Sequence, residues 1–232
     1  MRIAIMQPTY LPWIGYFGLM DYVDTFVFLD SVQFSKQSWQ QRNRIKTHNG
    51  PLWLTVPVLL KGKSHQLIKD AQINPNAPFP KKHLRSIEDN YRRAPYFKTY
   101  APKVFRILGQ KHTQLSTLTE SLICLFQDNL EISTTLISSQ AIHISTNDRA
   151  ERLVEICKKL KATEYVSPVG ATDYLEKSDN FAKANIPVSF FNFTHPEYKQ
   201  LFGEFVPYMS VIDLLFNEGP NSLSIIRQGH KK

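Results

Sequence analysis

Cysteine is almost missing from this chain: Cys124 and Cys157 are the only two among 232 residues, which excludes a disulfide framework. Both lie in apolar stretches of helical character and are expected as buried free thiols. Glycine is sparse too, at nine residues, and none of them builds a GxGxxG turn, a Walker A loop or a Gly-x-Ser-x-Gly elbow. No clustered Cys/His spacing for zinc is present, so no tightly bound metal is expected. No apolar run reaches the roughly 18 residues of a membrane span. The N-terminal apolar stretch carries one basic residue, Arg2, and stops at Pro8, too short for a secretory leader, so a cytoplasmic protein is expected. Internal repeats and low-complexity segments are missing, which disfavours a solenoid.

What is there is an ordinary globular composition, 42% hydrophobic and 21% charged, at a length that suits one large domain. The net charge of +8 is unevenly spread. Residues 1–30 carry one Arg against three Asp, residues 31–112 carry sixteen Lys and Arg against three acids, and residues 113–232 carry eleven against fourteen. A basic middle third fits an anionic partner, whether nucleotide phosphates, a sugar nucleotide, a nucleic acid or an anionic membrane surface; a solvated basic face is the plainer alternative.

The hydrophobic patterning predicts an α/β fold, a mostly parallel sheet with crossover helices. Strands are predicted at 2–6, 25–30, 52–58, 135–138, 164–167 and 187–193, with Pro57 placing the third at an edge or ending it. Helices are predicted at 80–93, 101–111, 114–130, 148–161, 171–185 and 209–217, the last stopping at Gly219-Pro220. One domain over 1–232 is expected. Within it, 1–60 form an N-terminal α/β half, 61–131 a basic, mainly helical insertion, and 132–232 a C-terminal α/β half.

Four groups of residues are candidates for a site. The first is the strand-to-helix turn after β-strand residues 3–6, where Gln7, Pro8, Tyr10, Trp13, Gly15 and Tyr16 combine preset backbone angles, a glycine that permits close approach, and flat rings with polar tips. A helix start there offers unpaired N–H groups to a phosphate. A rigid aromatic turn with no ligand is the alternative. The second group follows the strand ending at Asp30 and includes Gln33, Arg42, Asn43, Arg44 and Lys46. If 42–46 is extended, Arg42, Arg44 and Lys46 share one face as a cationic comb suited to phosphates; a basic edge strand protected from aggregation is the alternative. The third is the turn with Ser167, Gly170 and Tyr174, which could hold an anion at a helix start or be plain turn chemistry. The fourth is His195 with Tyr198 and Gln200, where His195 is the best general acid/base candidate among seven histidines.

These same blocks, Gln7 to Phe17, Phe28 to Phe34, Arg42 to Lys46, Tyr165 to Tyr174, His195 to Tyr198 and Leu214 to Asn217, resemble the WbqC-like proteins nearly end to end. The resemblance implies a protein of bacterial surface-polysaccharide clusters, with glycyl or other aminoacyl transfer to an amino sugar of the O-antigen of lipopolysaccharide as the suggested activity. Here the third turn reads Ser167-Pro168-Val169-Gly170, with its glycine later than the family pattern suggests. A more distant likeness is to nucleotidyltransferases and pantothenate-synthetase-like ligases of HUP or Rossmann-like architecture. Their His-x-Gly-His signature is replaced here by Trp13-Ile14-Gly15-Tyr16, so Arg42, Arg44 and Lys46 would have to supply the charge that two imidazoles supply there.

Together these imply an enzyme that activates a small carboxylate with ATP and magnesium and transfers the acyl group to the amine of a nucleotide-linked amino sugar. Gln7, Tyr10, Gly15 and Tyr16 would hold nucleotide, Arg42, Arg44 and Lys46 would bind phosphates, and His195, Tyr198 and Arg44 would form the catalytic set. Nucleotide and amino-sugar substrates are the expected partners, nucleic acid is disfavoured, and a homodimer is left open. The alternatives are a transferase on a sugar nucleotide that uses no ATP, or a non-enzymatic binder of nucleic acid or of a protein partner.

Overall fold

A computed structural model describes residues 1–172, 175 and 178–230. Its core is a five-stranded parallel sheet made of β1 (Arg2–Met6), β2 (Thr25–Phe28), β5 (Thr135–Ser138), β6 (Glu164–Pro168) and β7 (Val188–Phe191), in the spatial order β5-β2-β1-β6-β7. Counted along the chain, that is the order 3-2-1-4-5, the order of a doubly wound sheet that reverses direction beside its first strand. Alternate residues of the strands face opposite layers, as the pleat requires. Ala4, Phe26, Phe28 and Val166 join the larger core, while Ile3, Ile5, Val27 and Tyr165 join the smaller one on the other side. Burial on both faces is why these strands read as nearly continuous apolar runs.

The helix α1 (Ile14–Tyr22) crosses from β1 to β2 with Ile14 through Met20 all buried, and α5 (Arg149–Lys159) crosses from β5 to β6 behind an Asp148 cap whose carboxylate accepts the Glu151 N–H at 2.8 Å. Between β6 and β7 the described helix is short, α6 (Asn180–Lys183), where a helix over 171–185 was predicted; part of that span, Tyr174 included, lies outside the described residues.

A long excursion separates β2 from β5. It opens with an antiparallel hairpin, β3 (Arg42–Thr47) and β4 (Gly50–Thr55), paired Arg44 to Trp53 and separate from the parallel sheet. Three helices follow, α2 (Lys81–Tyr91), α3 (Phe97–Gly109) and α4 (Leu115–Asn129). Helix α3 starts earlier than its pattern suggested, which places Pro102 inside it. The chain closes with α7 (Val211–Glu218), ended by Gly219 at φ 52°, and with α8 (Ser222–Gln228), a short helix absent from the prediction. Cys157 is buried as expected and burial pushes its thiol up to about 12. Cys124, by contrast, is exposed, because it falls on the outer side of α4, away from buried Leu122 and Ile123. No helix among the described residues is long and apolar enough to cross a membrane.

Candidate functional site

Strands β1 and β6 are in register at Arg2–Glu164 and Ile3–Tyr165 and no further. Their C-terminal halves therefore part, at the point where the strand order reverses, and open sheets bind ligands in such crevices. A cavity of about 210 Å³ lies there, lined by Met6 at the end of β1, by Trp13, Gly15, Tyr16 and Leu19 at the start of α1, by Pro168 to Gly170 after β6, and by Phe191 to Phe193.

Its roof is Trp13. The indole packs edge-on against Phe193 at 5.4 Å, stacks with the His195 ring at 6.1 Å and meets Tyr208 at 5.3 Å. A Cβ on Gly15 would come within 2.2 Å of the indole, so Gly15 is small to seat Trp13. The close approach expected of a ligand at Gly15 is taken by a side chain of the chain itself.

The rest of the corner is built inward. Tyr10 is fully buried, with its hydroxyl 2.7 Å from Nδ1 of His83, and burial alone raises its pKa. Tyr16, 3% exposed, donates to the Gln7 carbonyl at 3.3 Å. Pro8 is buried, and the Gln7 side chain accepts from Gln40 at 2.8 Å. Tyr10 therefore does not present its ring to the crevice, contrary to the nucleotide-stacking role expected of it, while Tyr16, although buried, is among the residues that line the crevice. Ser167 is fully buried beside Pro168, and Gly170 is exposed on the turn that lines the cavity.

The comb exists as backbone geometry but only two of its teeth are outside. Arg42 lies over the Trp53 ring at 4.3 Å, and Arg44 lies 5.5 Å from Trp53 and 6.0 Å from Trp39. Lys46, on the same face, is 2% exposed; its ammonium donates to the Glu204 carbonyl, and burial lowers its pKa, partly offset by Asp213. Asn43 points the other way and donates to the Leu11 carbonyl at 2.6 Å. Gln33 is exposed and donates to the Ser64 carbonyl at 3.2 Å, and Asp30 is fully buried, accepting from Ser139 at 2.9 Å and from Gln140. The last three hold loops together rather than line the crevice.

His195 is the junction of the site. Its Nδ1 lies 2.9 Å from the Pro196 carbonyl, which fixes the proton there and leaves Nε2 as an acceptor. That Nε2 is buried and has no partner. Trp13, Phe193, Tyr198, Phe205 and Tyr208 surround the ring, and their burial of it lowers the pKa, so the imidazole is neutral at physiological pH. The segment is held by Asp213, a fully buried carboxylate that accepts from Tyr91 at 2.7 Å, Tyr198 at 2.8 Å and Gln200 at 2.7 Å. Burial raises the Asp213 pKa and these three donors pull it back. Tyr198 and Gln200 thus both have their side-chain donors engaged by Asp213.

Trp39 was already in view among the residues that follow the second strand, but three elements escaped the sequence reading: the exposed rings Trp53 and Tyr208, the carboxylate of Asp213, and Glu120 on α4. Burial, then the field of Asp30, pushes the Glu120 carboxyl up to about 7, and its Oε1 is buried without a partner. A lone Asp within the apolar run Val211 to Phe216 was the one available signal for Asp213.

The model of the WbqC-like protein family matches residues 7–225. An uncharacterized protein of Mycobacterium tuberculosis (strain ATCC 25618 / H37Rv) is 40% identical over 232 residues, covering 98% of this chain and 99% of that protein. No solved structure matches.

Proposed function

Since the chain belongs to the WbqC-like protein family, we propose that it is a transferase of surface-polysaccharide biosynthesis that joins a small carboxylic acid to the amine of a nucleotide-linked amino sugar. The observation that carries this reading is His195, whose ring stacks at 6.1 Å on Trp13, the roof of the β1/β6 crevice, and whose buried Nε2 has no partner. A neutral imidazole with a free acceptor nitrogen is the group an attacking ammonium needs, since the amine becomes a nucleophile only after losing a proton. Phe193 and Trp13 exclude water from that nitrogen, and Tyr208, 47% exposed and edge-on to His195 at 5.4 Å, is the ring that must swing aside to admit the amine.

ATP, when bound, would supply the activation of the carboxylate, with release of pyrophosphate. Arg42 and Arg44 fit its phosphates: no ion pair among the described residues uses either one, and Arg44 Nε is buried without an acceptor. The described residues form no group of three or more metal-ligating side chains, so a magnesium ion would keep phosphate and water as its ligands. The crevice, mostly apolar and about 210 Å³, suits the small acyl group or the sugar ring rather than a whole nucleotide.

The test is pyrophosphate release from ATP by the purified protein, across a panel of amino acids with and without amino-sugar nucleotides. Pyrophosphate release that requires one acid, and transfer that also requires one amino sugar, are expected, and His195→Gln should lower transfer about 10²-fold or more while leaving the acid-dependent pyrophosphate step in place. No release under any pairing, or full turnover in His195→Gln, removes the reading.

A further inference from the structure

The outer face of the β3–β4 hairpin carries the Trp53 indole, with the tilted ring of Trp39, from the turn that precedes β3, beside it and two guanidinium groups above them. Trp39 and Trp53 are 45% and 42% exposed, with ring centroids 5.4 Å apart. Register explains the arrangement: Arg44 is directly opposite Trp53, Arg42 is opposite Thr55 on the same face, and the inward residues Asn43, Ile45 and Leu54 are buried. Nothing in the fold requires large rings outside, and leaving two indoles in water costs apolar burial that a smaller residue would avoid.

The charge around the rings is equally one-sided. No carboxylate pairs with Arg42 or Arg44 among the described residues. The Arg44 Nε has no acceptor although it is buried. On the side toward His195, an Arg44 terminal nitrogen lies 3.5 Å from the Tyr208 carbonyl, and Tyr208 itself is held at φ 61°, in the left-handed region that non-glycine residues seldom adopt. The Tyr208 ring then meets Trp13 at 5.3 Å. The platform and the crevice roof thus form one continuous surface.

We propose that this hairpin face is the binding site for the nucleotide of ATP, outside the crevice at the sheet's reversal point: the purine base stacks on Trp53 in place of the Arg42 guanidinium now 4.3 Å over that ring, with the tilted Trp39 ring at its edge, and the displaced Arg42 joins Arg44 in holding the phosphates. Flat rings reward any base, and a purine offers the larger stacking area. Guanidinium groups without carboxylate partners supply the complementary charge to a polyphosphate at that edge, in the paired geometry phosphate oxygens favour. The site deepens the function proposed above and rests on it for the choice of ATP, but its test is binding and needs no turnover.

Isothermal titration of the full chain with ATP, UTP, adenosine and inorganic tripolyphosphate measures it directly. ATP is expected to bind more tightly than any of the other three, with affinity falling as salt rises. Trp53→Leu and, separately, Arg42→Ala should each weaken ATP about ten-fold or more, with far-UV spectra and melting temperatures close to those of the parent; Trp39→Leu gives a second reading should Trp53→Leu misfold. ATP affinity unchanged in these folded variants, no ATP binding at all, or UTP binding as tightly as ATP would each overturn the proposal. ATP binding lost on the hairpin variants together with no acid-dependent pyrophosphate release would keep the site and remove the transferase reading.

Discussion

At the strand-end corner, Tyr10 and Tyr16 are at most 3% exposed and their hydroxyls are satisfied inside the protein. On the hairpin, Trp39 and Trp53 stand 45% and 42% exposed with guanidinium groups above them. Aromatic and polar residues of similar kind serve the two places in opposite ways. The corner spends its rings on rigidity, so that β1, α1 and the 194–210 segment hold His195 in one position. The hairpin leaves its rings and charges to a partner from outside. Disturbing the first should therefore be read in stability and the second in affinity, and that division can be broken or sharpened by experiment.

The largest expected effect is on the rigid side. Removing the Asp213 carboxylate with Asp213→Ala leaves Tyr91, Tyr198 and Gln200 as buried donors without their shared acceptor, a loss of about 3–5 kcal/mol in urea unfolding. Arg42→Ala on the hairpin should change stability by less than about 0.5 kcal/mol. Comparable losses in the two variants would erase the distinction between a built corner and an open platform.

The pH dependence comes next, and its sign in Glu120→Gln follows from His83. Burial lowers its folded pKa to about 4 against 6.5 when unfolded, so the unfolded chain takes up a proton first as the pH falls. Stability held above pH 6.5 is then lost down to about pH 4, by about 3 kcal/mol. Glu120 opposes this: its folded pKa, raised from 4.5 to about 7, makes stability fall as pH rises through that range. The two shifts are of similar size, so the parent should be nearly flat between pH 6.5 and 4.5; Glu120→Gln should expose the acid-side loss, while His83→Gln should make stability rise as the pH falls. A Glu120→Gln protein with flat stability across that window would rule out a neutral, buried His83 as its source.

How much of this was legible in the sequence differs between the same two regions. The central strands β1, β2 and β6 were readable because they are buried on both faces and so run apolar, and the helices because their apolar positions recur with period 3.6. Strand β3 was not, since Arg-Asn-Arg-Ile-Lys-Thr lacks apolar alternation; its inward Asn43 is buried by a hydrogen bond to Leu11 rather than by hydrophobicity. Residue type placed the corner at the end of β1 but could not say that the sheet reverses there, beside β6, or which rings face in. Tyr10 is turned inward by His83 and Lys46 is covered by Glu204, partners remote in the chain that no local pattern reports. The same remoteness hid Asp213, whose donors Tyr91 and Tyr198 lie on other elements.

The smallest effect expected tests where the two regions touch. Gly15→Ala places a methyl group at 2.2 to 2.5 Å from three atoms of the Trp13 ring, and an overpacked contact of this kind costs about 1–3 kcal/mol unless the ring moves. Trp13 can move outward, toward Tyr208 and His195, because its other neighbours are the crevice and partly exposed rings. The variant should therefore shift the emission of Trp13, read in a Trp39→Phe, Trp53→Phe background where it is the sole tryptophan, and should slow turnover through the displaced His195. In the parent tryptophan background, ATP affinity should stay the same, since the platform rings are unaltered. If Gly15→Ala weakened ATP as much as Trp53→Leu does, the nucleotide would lie in the crevice after all, and the hairpin would be its rim.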